Sequence, residues 1–246
     1  MTSTTMPLLY KNPQPLNPEQ HSGLTLNLSS GFGFASATNS VPLVIEEFAA
    51  TCRDYVIVFS TGELPLPLVV LGVQPTHNAY VNPKGEWAAD TYIPAYVRRY
   101  PFIFSENEGS EELTLCLDVD APSVGKGEGV AFFNDKKEAS ELTQQGLEFC
   151  KNFHIQLQQT REFCEALQAA DLLVDQQASI TLAEGQTQNL SGFRIVDEQK
   201  FRQLPAETLQ KFHERGWLGL IYAHLISTGS MGKLVLQLKH NPAPAA

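Results

Sequence analysis

The spacing of the apolar residues changes near residue 135, and that change restricts the chain to a mixed architecture. Upstream, the apolar residues fall in short alternating or continuous runs, the patterns of half-buried and fully buried strands. Downstream, Leu142, Phe149, Phe153, Leu157, Cys164 and Leu167 recur at helical spacing, which predicts one long amphipathic helix from about Asp135 to Leu173. Asp135 and Glu138 have capping-box spacing at its start, and Gly146 is a weak point inside it. The expected fold class is α+β: a strand-rich half over residues 1–134 packed with a helix-rich half over 135–240, in a single domain that ends in a frayed tail at 241–246.

Within the first half, the prolines at 7, 13, 15 and 18 predict an extended opening segment. Gly23 to Leu28 alternates as a strand does, and Gly31-Phe32-Gly33-Phe34 suggests a bend whose rings pack inward. Val41 to Arg53 reads as a short helix capped by Ser40, with Val44, Phe48 and Cys52 on one face. Tyr55 to Ser60 and Leu68 to Val73 read as a buried hairpin. Asn82-Pro83-Lys84-Gly85 predicts a type I turn between Val81 and Trp87. Two further strands, around Ile103-Phe104 and Leu113 to Asp118, flank a polar loop. In the second half, a hairpin is expected around Glu184-Gly185, then a helix from Pro205 to Gly216. The apolar run from Trp217 to Ile226 predicts a buried helix.

Of 246 residues, 43% are apolar and 18% charged, which suits a packed core, and 17 basic against 27 acidic residues give a charge of −10. An acidic chain is poorly suited to neutralising phosphates, so no nucleic-acid partner is expected. No apolar run reaches the roughly 20 residues of a membrane helix, and the first residues lack a signal-peptide pattern. Cys52, Cys116, Cys150 and Cys164 are widely spaced, as expected of reduced thiols in a soluble cytoplasmic protein.

Common metal, hydrolase and nucleotide motifs are missing, and no metal or cofactor is expected. Gly125-Lys126-Gly127-Glu128-Gly129 precedes a strand rather than a helix, so it reads as a turn and not a phosphate loop. The distinctive stretch runs from Tyr92 to Phe102, with three tyrosines, two arginines and two prolines in eleven residues. Two readings of it stand. Arg98 and Arg99, with Tyr96 and Tyr100, form a site for a peptide or an anionic small molecule, or the arginines pair with acids such as Asp118 and Asp120. His21 and His224 carry the same ambiguity, between ligand-binding histidines and core histidines with satisfied hydrogen bonds.

Several blocks are familiar together: Pro15-Leu16-Asn17 with His21-Ser22-Gly23-Leu24, Val41 to Val44 with Glu47-Phe48, and Tyr55 to Phe59. Ile93 to Phe102, Gly192-Phe193 with Val196-Asp197-Glu198, and Gly216-Trp217-Leu218 with Ile221 to Leu225 complete the set. In these blocks the chain resembles the bacterial SapC family. The resemblance implies an association with paracrystalline surface layers and with peptide or nutrient handling. Some relatives carry a peptide-transporter label, which does not suit a chain without membrane helices. A link to iron- and oxoglutarate-dependent peptide hydroxylation lacks its His-x-Asp/Glu motif here. The resemblance transfers no catalytic residues. Two functions therefore stand. One is a non-enzymatic accessory or binding protein; the other is a peptide-modifying enzyme with a site near His21, Arg98, Arg99 and His224.

Overall fold

The structure is a computed structural model that describes residues 6–106, 113–181 and 187–243. Its architecture is α+β, with sheets mainly in the first half and helices mainly in the second. The strands are β1 (Pro13–Pro15), β2 (Thr25–Leu26), β3 (Ser40–Pro42), β4 (Val56–Ser60), β5 (Pro67–Val70), β6 (Phe102–Glu106), β7 (Leu113–Asp118), β8 (Val124–Gly125), β9 (Val130–Ala131), β10 (Leu173–Thr181) and β11 (Thr187–Val196). The helices are α1 (Pro18–His21), α2 (Phe48–Thr51), α3 (Ala95–Arg98), α4 (Glu141–Ala169), α5 (Glu198–Arg202), α6 (Ala206–Glu214), α7 (Trp217–Ser227) and α8 (Met231–His240).

The largest sheet is antiparallel, in the order β10-β11-β4-β5-β3, and the second half supplies its two longest strands. At its centre β4 is β-branched and aromatic, and its first four residues are buried, which suits a strand covered on both faces. The β4–β5 pairing is the expected hairpin. Two three-stranded sheets, β1-β7-β6 and β8-β2-β9, complete the strand-rich half. The glycine-rich segment is the β8–β9 connection, and the Thr25 hydroxyl donates to the carbonyls of Gly125 and Gly127. The expected turn also forms, with Gly85 N–H bonded to the Asn82 carbonyl and Val81 bridged to Trp87.

Three expectations need correction. The segment Val41 to Arg53 is not one helix. Ser40–Pro42 pairs with β5 as an edge strand, a position that tolerates a residue without an N–H, and Ile45–Glu47 forms a 3-10 turn before the single turn of α2. The capping box at Asp135 is not used. Asn134 closes a local turn by accepting from Lys136 and Glu138 N–H groups, and Ser140 caps α4 through Thr143 N–H. Trp217–Ser227 is not buried all round, because Tyr222 and Ile226 are 55% and 62% exposed while Ile221 and His224 face the core. At the start of the expected tail, the Asn241 side-chain amide donates to the Val81 carbonyl at 2.6 Å and its own carbonyl meets His77 Nε2, while 244–246 lie outside the described residues. The ends of the polar loop and of the β10–β11 hairpin, at 107–112 and 182–186, lie outside the described residues.

Helix α4 packs on β6 and on the 3-10 turn. Phe163 meets Phe48 edge-on, and the Thr160 hydroxyl accepts from Ile45 N–H. Helix α7 covers β4 and β11, where Ser227 Oγ accepts from Ile57 N–H. The gap between α4, α3 and the 3-10 turn positions the candidate site.

Candidate functional site

The arginine-tyrosine stretch enters the single turn of α3 from Pro94 and is anchored there by an acid distant in sequence. Glu47 Oε1 accepts from Ala95 N–H at 2.6 Å, and its Oε2 accepts from Val44 N–H at 3.1 Å. Glu47 is buried, and burial raises its pKa, against the pull of those two N–H groups, the Tyr92 hydroxyl and the Arg98 charge. The Tyr92 main chain is fixed as well. Its carbonyl accepts from the Tyr55 hydroxyl, which also accepts from Trp87 Nε1, and its N–H donates to Asp54.

Above Glu47 lies a cavity of about 340 Å³. One wall is a face of α4, where Phe149, Asn152, Phe153 and Gln156 follow the i, i+3, i+4, i+7 pattern. The other walls are Val44, Glu46 and Glu47 from the 3-10 turn region, with Tyr92, Ala95 and Arg98. Arg98 is exposed but well oriented. Its Nε donates to the Ile93 carbonyl at 2.9 Å, its Nη2 donates to the Tyr92 hydroxyl at 2.8 Å, and the guanidinium lies over the Tyr92 and Phe149 rings. No described carboxylate forms an ion pair with it. A guanidinium has five N–H donors, so several remain for a carboxylate or phosphate.

Arg99 projects elsewhere. Its guanidinium carbon lies 4.3 Å from the Tyr96 ring centroid, 4.5 Å from that of Phe153 and 5.6 Å from that of Tyr10. Its Nε is buried without a hydrogen-bond partner, and no described acid pairs with it. The expected pairing of the arginines with Asp118 or Asp120 is therefore replaced by aromatic stacking. Asp118 instead accepts from the N–H groups of Lys11, Asn12 and Asp120 and from the Tyr100 hydroxyl. Tyr100 also stacks on Phe34, and the Tyr96 hydroxyl donates to the Leu8 carbonyl.

The two histidines stand apart from this cavity. His21 ends α1, buried, with Nδ1 accepting from Asn17 N–H. His224 is fully buried on α7, its ring beside Phe59 and its Nε2 accepting from Val196 N–H at 3.0 Å. Its Nδ1 has no hydrogen-bond partner of normal geometry, and burial lowers its pKa to about 4 despite the opposing influence of the Ile57 main chain. Neither histidine lines the cavity. Among the described residues, no group of three His, Cys, Asp or Glu side chains is placed to hold a metal ion. The four cysteines are free and buried, and burial raises the thiols of Cys150 and Cys164 to about 11 and 12.

Of the six candidate ligand-binding residues His21, Tyr96, Arg98, Arg99, Tyr100 and His224, only Arg98 lines the cavity. Tyr92 and Glu47 were noted only as parts of longer stretches, and Glu46 did not stand out. A detectable signal was the pair of amides, Asn152 and Gln156, placed in register with Phe149 and Phe153 on the apolar stripe of α4.

The family model for SapC matches residues 16–234. The chain belongs to the SapC family. The matched span contains every residue of this cavity, the whole of α4 and the arginine-tyrosine stretch. No curated protein matches this SapC-family chain, and no solved structure does. No described helix is long and apolar enough to cross a membrane.

Proposed function

We propose that this SapC-family chain is a soluble, cytoplasmic, non-enzymatic binding or accessory protein for a peptide or an anionic small molecule. In this reading it serves surface-layer, peptide or nutrient-related processes at the cell surface, and residues 1–246 act as one SapC-like domain. The observation that carries the reading is Arg98, held by Tyr92 and Ile93 at the edge of a cavity and in no ion pair with a described acid, its charge reaching the buried Glu47. Binding sites combine apolar walls with a few oriented polar groups, and Phe149, Phe153 and Tyr92 supply such walls here. The four free, buried thiols suit a reducing compartment. The peptide-modifying alternative has less support, since His21 and His224 lie outside the cavity.

Calorimetric titration of the protein and of Arg98→Gln with a panel of short peptides that carry a free C-terminal carboxylate tests the reading. The expected result is binding that weakens at least about tenfold in the variant, the scale of one charged hydrogen bond, with an unchanged melting temperature. Equal binding by both proteins, or by neither, overturns it.

A further inference from the structure

The charge around the cavity says more about the ligand than Arg98 does alone. The lining holds one arginine against two glutamates, so a purely anionic ligand would meet more negative than positive charge. The two acids differ. Glu47 is buried, with both oxygens committed to main-chain N–H groups. Glu46 is exposed at the rim, and no described residue pairs with its carboxylate. A free cation donor and a free carboxylate therefore border one space with aromatic walls. That space, about 340 Å³, has the volume of about eleven water molecules at roughly 30 Å³ each. Two opposite charges lining one cavity suit a ligand that carries both charges.

Resting on the reading that Arg98 binds an anionic group, we propose that the cavity takes a small zwitterion, a free amino acid or dipeptide with an aromatic or apolar side chain. Its carboxylate sits on the Arg98 guanidinium and its ammonium on the Glu46 carboxylate. Phe149 and Phe153 contact the side chain, and the Asn152 and Gln156 amides face the polar skeleton.

The test is calorimetry with L-phenylalanine, N-acetyl-L-phenylalanine and L-phenylalaninamide, and with the same three forms of the dipeptide phenylalanyl-alanine. At least one unblocked compound is expected to bind, and each blocked form to bind at least about tenfold more weakly. In Glu46→Gln the penalty for acetylation should vanish while the penalty for amidation persists. In Arg98→Gln the reverse should hold. Thermal melting of both variants, which alter solvent-exposed side chains, checks that the fold is intact. If the acetylated compounds bind as well as their parents, the zwitterion is overturned while the anion reading survives. If no unblocked compound binds, or if Glu46→Gln leaves the acetylation penalty unchanged, the proposal fails. If binding also survives Arg98→Gln, both readings fail together.

Discussion

The carboxylate of Glu47 joins two main chains, accepting from Ala95 N–H at 2.6 Å and from Val44 N–H at 3.1 Å. It thereby fixes α3 against the turn that carries Glu46. Removing it leaves two buried N–H groups unsatisfied, at about 1–3 kcal/mol each, so Glu47→Ala should destabilise the protein by about 3 kcal/mol in denaturant titration. Glu47→Gln keeps one acceptor and should lose less. Burial holds the pKa of Glu47 above 4.5, so the folded state keeps its proton to higher pH than the unfolded state does. Stability should therefore fall as pH rises from 4.5 through the raised value, and Glu47→Gln should lack that fall. Variants as stable as the parent would remove Glu47 from its anchoring role.

Gly146 lies within α4, where a Cβ would sit 2.8 Å from two carbon atoms of the Phe102 ring. Phe102 is buried and packs edge-on against Phe132, so its ring has little room to yield. Alanine at an interior helix position ordinarily adds up to about 1 kcal/mol over glycine. Here overpacking, typically about 1–3 kcal/mol, should dominate, and Gly146→Ala should lower the melting temperature. A higher melting temperature would mean that α4 can move away from β6 without loss.

What could be read in advance follows from how local each determinant is. Strand β4 was legible because Val56 to Phe59 are intrinsically strand-forming and buried on both faces. The left-handed Gly216 between α6 and α7 was legible because few other residues adopt its φ of 70° readily. The extent of the Val41–Arg53 segment was not, because Val41 pairs with Val69 across a sheet whose register no local spacing reveals. The cavity was half legible: Arg98 stood out by composition, but Glu47 acquires its role only by meeting Ala95, 48 residues away in sequence. The fate of Asp118 was hidden for the same reason, since its partners include Lys11 and Asn12, more than 100 residues upstream.

His224 should make the protein acid-sensitive. Its Nε2 accepts from Val196 N–H, so the ring is neutral and its proton resides on Nδ1. Its pKa is about 4 in the folded protein against 6.5 when free, so the unfolded state binds the proton first as pH falls. The stability associated with the neutral ring is complete above pH 6.5 and is lost progressively down to pH 4, by about 3 kcal/mol in all. His224→Gln keeps an acceptor for Val196 and does not titrate. Its stability should change less between pH 7 and pH 4 than that of the parent, as measured by urea titration at each pH. Parallel pH profiles for the two proteins would contradict this.

Arg98 and Arg99 are adjacent in sequence but should separate cleanly in a stability measurement. Arg98 is exposed, with hydrogen bonds to the Tyr92 hydroxyl and the Ile93 carbonyl and its guanidinium over the Tyr92 and Phe149 rings, so Arg98→Ala should shift stability by less than about 1 kcal/mol. Arg99 lies over the rings of Tyr10, Tyr96 and Phe153, so Arg99→Ala removes packing as well as charge and should cost about 2 kcal/mol. No described carboxylate is orphaned by either change, so neither loss should reach the roughly 3–5 kcal/mol of a broken buried ion pair. Arg99→Met supplies the discriminating case. It keeps an unbranched, polarisable chain among the rings and removes an Nε that is buried without a partner. Arg99→Met should therefore recover most of the stability lost in Arg99→Ala. If it is as unstable as the alanine variant, the guanidinium charge rather than the packing of the stem holds the three rings together.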